Sequence, residues 1–416
     1  MSSLCTLNKP SHSFIKETIK LNGSKSISNR VLIIDALCNH QIKIDNLSNA
    51  DDTIFLQRIL QSEEKVLDAG AGGTTFRFLT AFLATQEGRE VILTGSERMQ
   101  QRPIKILVDA LQTLGADITY EKNKDFPPLR IKGKKLKGGK IALPADTSSQ
   151  YITALLLIAP TLEDGLELEL IGTIVSVPYI KMTLKMMEYF GIQTSFEGNK
   201  ITVNPGVYQP SSFFVEGDWS AASYFYSIAI LAEEAEIELK GLNNQQLQGD
   251  SVIATIAADF GIETSYNENA VILKKIKQPK FNSYSFDFIE CPDLAQTVVA
   301  FCAALNIELN CKGLQTLRIK ETDRIAALDN ELQKIGFASL REIDKNNWKL
   351  ISNKLITHNS QLITIATYED HRMAMAFAPL ALKLNTLKIE EPNVVDKSYP
   401  MFWKDLQKLG FKIDFI

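Results

Sequence analysis

Cysteine and histidine are scarce in this chain, five and four among 416 residues. Cys5, Cys38, Cys291, Cys302 and Cys311 are odd in number and nowhere spaced as CxxC. They argue against a disulfide framework and a structural zinc, and for a reducing, cytoplasmic compartment. A surplus of positive charge is also lacking. The net charge of −4 excludes a generally basic nucleic-acid surface, so an anionic substrate must be met by a local cluster. No hydrophobic run is long enough to span a bilayer: the uncharged stretch Thr147 to Leu162 contains Ser148, Ser149, Gln150 and Pro160 and reads as a buried helix. Met1-Ser2-Ser3-Leu4 has neither a basic nor a long apolar stretch, so no secretory signal is expected. A P-loop is missing ahead of Gly23, and in the segment Asp68 to Arg77 Gly70 and Gly72 are followed by Thr75 where a dinucleotide fingerprint has its third glycine.

What is present is ordinary in bulk, 45% apolar and 23% charged residues, with length for two or three domains. A recurring ending stands out: amphipathic helix, apolar residue, glycine, short strand. It occurs at Gly115, Gly191, Gly261, Gly336 and Gly410, spaced by 76, 70, 75 and 74 residues. One such glycine is a helix C-cap; five at near-constant spacing are an internal repeat. Each unit also carries a more apolar helix, beginning near Ser28, Thr74, Ser149, Ser220, Leu294 and Met373, of the kind that is buried among others. The expectation is an α/β protein of six units, three and three, around buried helices. After Leu60 the first unit lacks the glycine–strand ending, so a hairpin is missing there. The segment Glu216-Gly217-Asp218-Trp219-Ser220 reads as a domain crossover.

The charges are less ordinary. In Leu317-Arg318-Ile319-Lys320-Glu321-Thr322-Asp323-Arg324-Ile325, a short strand from Thr316 to Ile319 is expected to lead into a helix whose apolar face is Ile325, Leu328, Leu332 and Ile335. Lys320 and Arg324 then meet at the helix start, where like charges cost ~0.2–0.5 kcal/mol and the helix dipole roughly 0.3–1 kcal/mol more for each cation. Lys25, Arg30, Arg77, Arg102, Arg372 and Lys397 likewise fall at or near expected helix N-termini, with Arg102 just before a Pro suited to the first helical position. Singly, each has a plain explanation: a solvated helix start, a capping Asp218 or Asp293, a hydrogen-bonded structural His371. Jointly they suggest two cation clusters on facing domains, sharing a substrate with more than one phosphate or carboxylate. Asp293 and Glu321 are then available for proton transfer.

GSKSISNR, TGSERMQQRP, TSSQYITALL, VSVPYI, VEGDWSAASYF, RIKETDR, DHRMAMAFA and KSYP, in this order from Gly23 to Pro400, resemble the motifs of the 5-enolpyruvylshikimate-3-phosphate synthase family. The resemblance implies a two-domain inside-out α/β barrel of six βαβαββ units, the first one shortened. It divides the chain into a C-terminal-half domain, residues 1–20 plus 217–416, and an N-terminal-half domain, residues 21–216. It implies transfer of the enolpyruvyl group of phosphoenolpyruvate to the 5-hydroxyl of shikimate 3-phosphate, with release of phosphate and formation of 5-enolpyruvylshikimate 3-phosphate. That step leads to chorismate and the aromatic amino acids, and the enzyme is expected to be a monomer that needs no metal or organic cofactor, no nucleic acid and no membrane.

By motif, Lys25, Gly73, Arg102, Gln150, Arg324, Arg372 and Lys397 are implied to hold phosphoenolpyruvate. Lys25, Ser26, Arg30, Ser148, Ser149, Gln150, Ser176, Tyr179, Asp293, Thr316 and Lys320 are implied to hold shikimate 3-phosphate. Asp293 would take the proton of the attacking hydroxyl, Glu321 would exchange protons with the methylene carbon, and Lys25 would support phosphate departure. In this family glyphosate occupies the phosphoenolpyruvate site. Ala71, Phe78, Val177 and Thr316 depart from the family's common residues. A UDP-N-acetylglucosamine enolpyruvyl transferase would carry a Cys in the loop Gly95 to Pro103, which has none. A non-catalytic anion-binding relative would have no need of both Asp293 and Glu321. RNA 3′-phosphate cyclases are disfavoured by the acidic balance and the missing nucleotide motif.

Overall fold

A computed structural model describes residues 3–145, 148–172, 174, 177–244, 247–353 and 362–416. The chain divides into two compact units, Gly23–Val215 and Met1–Asn22 with Glu216–Ile416. In the first, the helices are α1 (Lys25–Leu37), α2 (Asp51–Leu60), α3 (Gly73–Ala84), α4 (Glu97–Gln100), α5 (Lys105–Thr113), α6 (Ser149–Ile158) and α7 (Val177–Tyr189). In the second they are α8 (Trp219–Leu231), α9 (Ile253–Asp259), α10 (Ala295–Ala304), α11 (Arg324–Ile335), α12 (His371–Phe377), α13 (Ala381–Leu384) and α14 (Phe402–Lys408). None of the described helices is long and apolar enough to cross a membrane.

Five sheets follow one plan: a parallel pair extended by two antiparallel strands. The unit Gly23–Val215 has two of them. In one, Val66–Asp68 lies parallel to Glu90–Thr94, then Leu129–Lys132 and Asp117–Tyr120 add on antiparallel. In the other the parallel pair is Gly139–Pro144 with Leu166–Ile171, extended by Lys200–Val203 and Thr194–Glu197. The second unit has three, whose parallel pairs are Phe14–Lys20 with Glu234–Lys240, Ser283–Asp287 with Glu308–Lys312, and Thr364–Ile365 with Thr386–Glu390. The last of these is completed by the chain's own first strand, Leu4–Asn8, and its last, Lys412–Phe415. The sixth sheet is a bare parallel pair, Ile44–Asp45 with Phe213–Phe214. Among the described residues this sheet has no antiparallel hairpin.

Parallel neighbours need a crossover, and the crossover is a helix. α3, α6, α10 and α12 each run between the two strands of a parallel pair. In the first unit α1, α3 and α6 pack together, and in the second α8, α10 and α12 do. They are apolar nearly all round: every residue of α8, α10 and α12 is buried. The more amphipathic α5, α7, α9, α11 and α14 each end near a glycine with positive φ, Gly115, Gly191, Gly261, Gly336 and Gly410. At Gly336 this residue is the left-handed cap itself, receiving the helix at φ 82.

Several local expectations are corrected. Gln315–Ile319 is a turn of 3-10 helix, not a strand; Gly313, at φ 77, turns the chain after strand Glu308–Lys312, and the next residues coil because no neighbouring strand pairs with them. α5 begins at Lys105, so Pro103 precedes the helix and Arg102 stands three residues ahead of it. Arg30 and Arg77 sit one turn inside α1 and α3. Lys397 closes a 3-10 segment, Pro392–Lys397, ahead of α14.

Candidate active site

In the unit containing the chain's C-terminal half, the buried helices deliver charge to one place. Asp323 caps α11 by accepting from the Ile325 and Ala326 N–H groups, each at 3.1 Å. This puts Arg324 at the first helical position and Glu321 just outside. Asp370 caps α12, its Oδ1 accepting from the Arg372 N–H at 2.8 Å. A short 3-10 turn, Pro292–Leu294, precedes α10 and carries Asp293. Tyr368 and Glu369, both at positive φ, turn the chain into Asp370.

Arg324, only 2% exposed, is the hub. Its Nε donates to Asp370 at 2.6 Å, one Nη to Asp293 at 3.0 Å and the other to Glu321 at 2.8 Å. Arg372 pairs with the second oxygen of Asp293 at 3.0 Å, and Lys320 stands 4.0 Å from its first. Lys397 donates to Glu321 at 3.1 Å. Burial alone would pull the Arg324 pKa down; Asp370, Glu321 and Asp293 more than reverse this and raise it. Burial alone would raise the Asp293 carboxyl; Arg372, Lys320 and Arg324 outweigh it and hold the group well below the usual carboxylate range. Asp293 is therefore held ionised, and the same cations make it a weak base for as long as they stay paired with it.

The expected surplus of cations at helix starts is thus answered here by the chain's own carboxylates. Four cations meet Asp293, Glu321 and Asp370, where the sequence argument asked for a bound anion. The carboxylates bridge the cations, which would otherwise repel one another at this distance. The Thr316 hydroxyl, in the preceding turn, is buried without a hydrogen-bond partner among the described residues.

The unit Gly23–Val215 assembles a second group. Lys25, first residue of α1, donates to Asp52 at 3.2 Å. Asp52 lies against the glycine loop: a Cβ on Gly72 would come within 2.8 Å of its Oδ1. A Cβ on Gly73 would come within 2.6 Å of both the Arg102 and the Arg77 guanidinium. Arg77 donates to the Gly73 carbonyl at 2.8 Å and to the Gln150 side-chain oxygen at 3.0 Å, and lies over the Tyr151 ring. Gln150 in turn donates to the Thr74 hydroxyl at 2.7 Å. The Tyr151 hydroxyl donates to the Pro103 carbonyl at 2.7 Å, tying down the loop that bears Arg102. Ser148 caps α6, and Ser149 is its first residue.

Arg30 is 3% exposed and spends its donors on the chain: Thr183 at 2.8 Å, the Ser26 carbonyl at 2.7 Å, Thr153 at 3.3 Å and the Tyr179 carbonyl at 3.4 Å. Burial lowers its pKa to about 10. It holds Ser26 and Tyr179 in place, with the departing residue Phe78 as the ring beneath its guanidinium at 5.7 Å. Ser176 lies outside the described residues. Ala71 is exposed, and Val177 is the first residue of α7.

Three participants escape the motif reading: Asp52, which meets Lys25; Arg77, which sits between Gly73 and Gln150; and Asp370, the nearest of the carboxylates around Arg324. Arg77 is among the cations read near helix starts and Asp370 opens the motif DHRMAMAFA, but Gln150 and Arg324, which they meet, lie far along the chain. Only the requirement that a buried cation be paired points to an acid at all.

The profile of the family described as EPSP synthase (3-phosphoshikimate 1-carboxyvinyltransferase) matches residues 54–406. A 3-phosphoshikimate 1-carboxyvinyltransferase of Bacteroides fragilis strain YCH46 is 50% identical over 408 residues, covering 98% of each chain. One of Haemophilus influenzae strain Rd is 34% identical over 431 aligned positions, covering 96% of this chain and 98% of its own. Among solved structures, an EPSP synthase of Acinetobacter baumannii superposes with a TM-score of 0.78 at 20% identity, covering 99% of this chain and 100% of that one.

Proposed function

The chain belongs to the EPSP synthase family, and on that premise we propose that it transfers the enolpyruvyl group of phosphoenolpyruvate to the 5-hydroxyl of shikimate 3-phosphate. The products are 5-enolpyruvylshikimate 3-phosphate and phosphate, a transferase step of the shikimate pathway. The family match carries the activity. The observation that carries the site is that Asp293 and Glu321, the two groups read as handling protons, hang on one buried guanidinium, Arg324.

The roles follow from the chemistry. The 5-oxygen forms a bond to C2 of phosphoenolpyruvate while Asp293 takes its proton. C2 accepts that oxygen only if the neighbouring methylene carbon gains a proton, which Glu321 supplies when protonated. Return of a proton from the new methyl group to Glu321 restores the double bond and breaks the bond from C2 to the phosphate oxygen. The phosphate leaves with the one proton the reaction has left over, that of the 5-hydroxyl first held by Asp293, and Lys25 stabilises it as it departs. Donors already in place where charge moves cost no reorganisation at that moment.

Arg324, Arg372, Lys397, Lys25, Arg102, Gly73 and Gln150 are the residues we read as holding phosphoenolpyruvate. Ser26, Ser148, Ser149, Ser176, Tyr179, Thr316 and Lys320 are read as holding shikimate 3-phosphate together with Lys25, Gln150 and Asp293, with Arg30 behind Ser26 and Tyr179. An anion that draws Arg372 or Arg324 away from Asp293 would also relieve what depresses that carboxyl. Substrate binding and activation of the base are then the same event.

At the level of architecture we read the chain as six βαβαββ units of an inside-out barrel in two domains, residues 21–216 and residues 1–20 plus 217–416. The five sheets of one plan and the sixth reduced to its parallel pair support this. The enzyme is further read as a cytoplasmic monomer, in keeping with five free, buried cysteines. A phosphate-release assay tests the activity. Phosphate is expected only when both substrates are present; release that ignores shikimate 3-phosphate, or none with both, rejects the reading.

A further inference from the structure

Behind Arg372 lies a buried polar chain that none of the implied roles uses. Asp250, 1% exposed, sits in the 3-10 turn Gly249–Val252 that leads into α9. Its Oδ2 accepts the hydroxyl proton of Ser220. The Ser220 oxygen also accepts from the Gln248 amide at 3.0 Å and from Arg372 Nη2 at 3.4 Å. Gln248 is itself oriented by the backbone, because its oxygen accepts from the Trp219 N–H at 3.1 Å while its amide nitrogen reaches Asp218 at 3.2 Å.

A hydroxyl has one proton and two lone pairs. Asp250 takes the proton, so both lone pairs of Ser220 face donors, and one of them is Arg372. An amide at position 250 could instead turn its NH2 toward Ser220 and send the hydroxyl proton toward the guanidinium. A carboxylate cannot. On its other side Arg372 donates from Nη1 to the Asp293 carbonyl at 3.3 Å and to the Tyr224 hydroxyl at 3.4 Å. Burial pushes the Tyr224 phenol up to about 12, so it remains a neutral acceptor.

We propose that Asp250, acting through the Ser220 hydroxyl, fixes the direction of the Arg372 guanidinium and is a positioning residue for capture of phosphoenolpyruvate. The inference rests on the reading of Arg372 as a phosphoenolpyruvate-holding residue. Burial, with Asp293 nearby, pushes the Asp250 carboxyl up to about 7, while Arg372 and the Ser220 hydroxyl pull it down, and it is the ionised form, present above that value, that accepts from Ser220. A group kept for packing alone would avoid that cost.

The test is a double-mutant cycle on steady-state kinetics, with Ser220→Ala, Asp250→Ala and Asp250→Asn made alone and in an Arg372→Lys background. Ser220→Ala and Asp250→Ala are each expected to raise KM for phosphoenolpyruvate about five- to tenfold, the size of one hydrogen bond. KM for shikimate 3-phosphate should stay within about twofold, and Asp250→Asn, whose oxygen can still accept from Ser220, should recover part of the loss. In the Arg372→Lys background the added losses should largely vanish, as they do for residues acting through one another. Ser220→Ala removes a single oxygen and leaves the packing intact, so an unchanged KM for phosphoenolpyruvate in that variant overturns the proposal, as do additive losses in the cycle. If Arg372→Lys by itself leaves that KM unchanged, it is the site reading that fails, and the inference with it.

Discussion

Glu321 shares its carboxylate between Arg324 and Lys397, at 2.8 and 3.1 Å. Glu321→Gln keeps the side-chain shape and one acceptor oxygen but removes the exchangeable proton. We expect turnover to fall ~10²–10⁴-fold, the usual scale for a general acid or base, with KM values changed far less. A variant turning over near the wild-type rate would show that the proton passes elsewhere. Gly73 makes the opposite case, where adding atoms is the perturbation. Its Cβ would meet two guanidinium ends rather than backbone, so the arginines shift and the fold survives. Overpacking of this kind costs roughly 1–3 kcal/mol, about tenfold in affinity for each ~1.4 kcal/mol. Glyphosate is longer than phosphoenolpyruvate and should suffer more. The ratio of the glyphosate inhibition constant to KM for phosphoenolpyruvate is expected to rise in Gly73→Ala, and a flat ratio would remove Gly73 from that subsite.

Among elements, the five glycines that follow the amphipathic helices are alike in backbone and unlike in surroundings. Gly336, at φ 82, has nothing within 4 Å of where a Cβ would stand. Gly336→Ala therefore incurs only the left-handed strain, about 1–2 kcal/mol of unfolding free energy. At Gly261, at φ 87, the Cβ would lie 2.2 Å from the Lys277 carbonyl oxygen, which is backbone and cannot step aside. Gly261→Ala should lose distinctly more. Urea unfolding of both variants decides this, and equal losses would mean that the repeat's glycines are kept for conformation alone.

At the scale of the whole molecule, the paired charges make stability depend on acid. The Asp293 carboxyl is held below its ordinary value in the folded state, whereas an unfolded aspartate titrates near ~3.9. Such a group contributes stability that is fully present above the unfolded pKa and is lost as pH falls through the folded one. Asp293→Asn leaves Arg372 and Arg324 short of a counter-charge and should be less stable than wild type by an amount that is constant from about pH 5 to pH 7. Below about pH 4 the gap should narrow. Denaturant titrations at several pH values measure it, and a gap that widens in acid would contradict the electrostatic account.

Sequence alone carried whatever is local or repeated. The ends of α5, α7, α9, α11 and α14 were legible because a glycine after an amphipathic helix is a short-range signal, and the α/β class because that signal recurs. The short first repeat was legible too, and corresponds to the bare pair Ile44–Asp45 with Phe213–Phe214. Motif order made the family legible, while the turn Gln315–Ile319 was misread because four residues cannot distinguish a strand from a tight coil without a neighbour to pair with. Tertiary structure decided who neutralises whom. Arg324 and Asp370 are 46 residues apart, Lys25 and Asp52 are 27, and Arg77 and Gln150 are 73. The spacing of charges along a chain shows that a buried cation needs a partner, but whether that partner is a ligand or a distant carboxylate depends on which helix ends the fold brings within about 3 Å of one another, the distance at which a hydrogen bond forms.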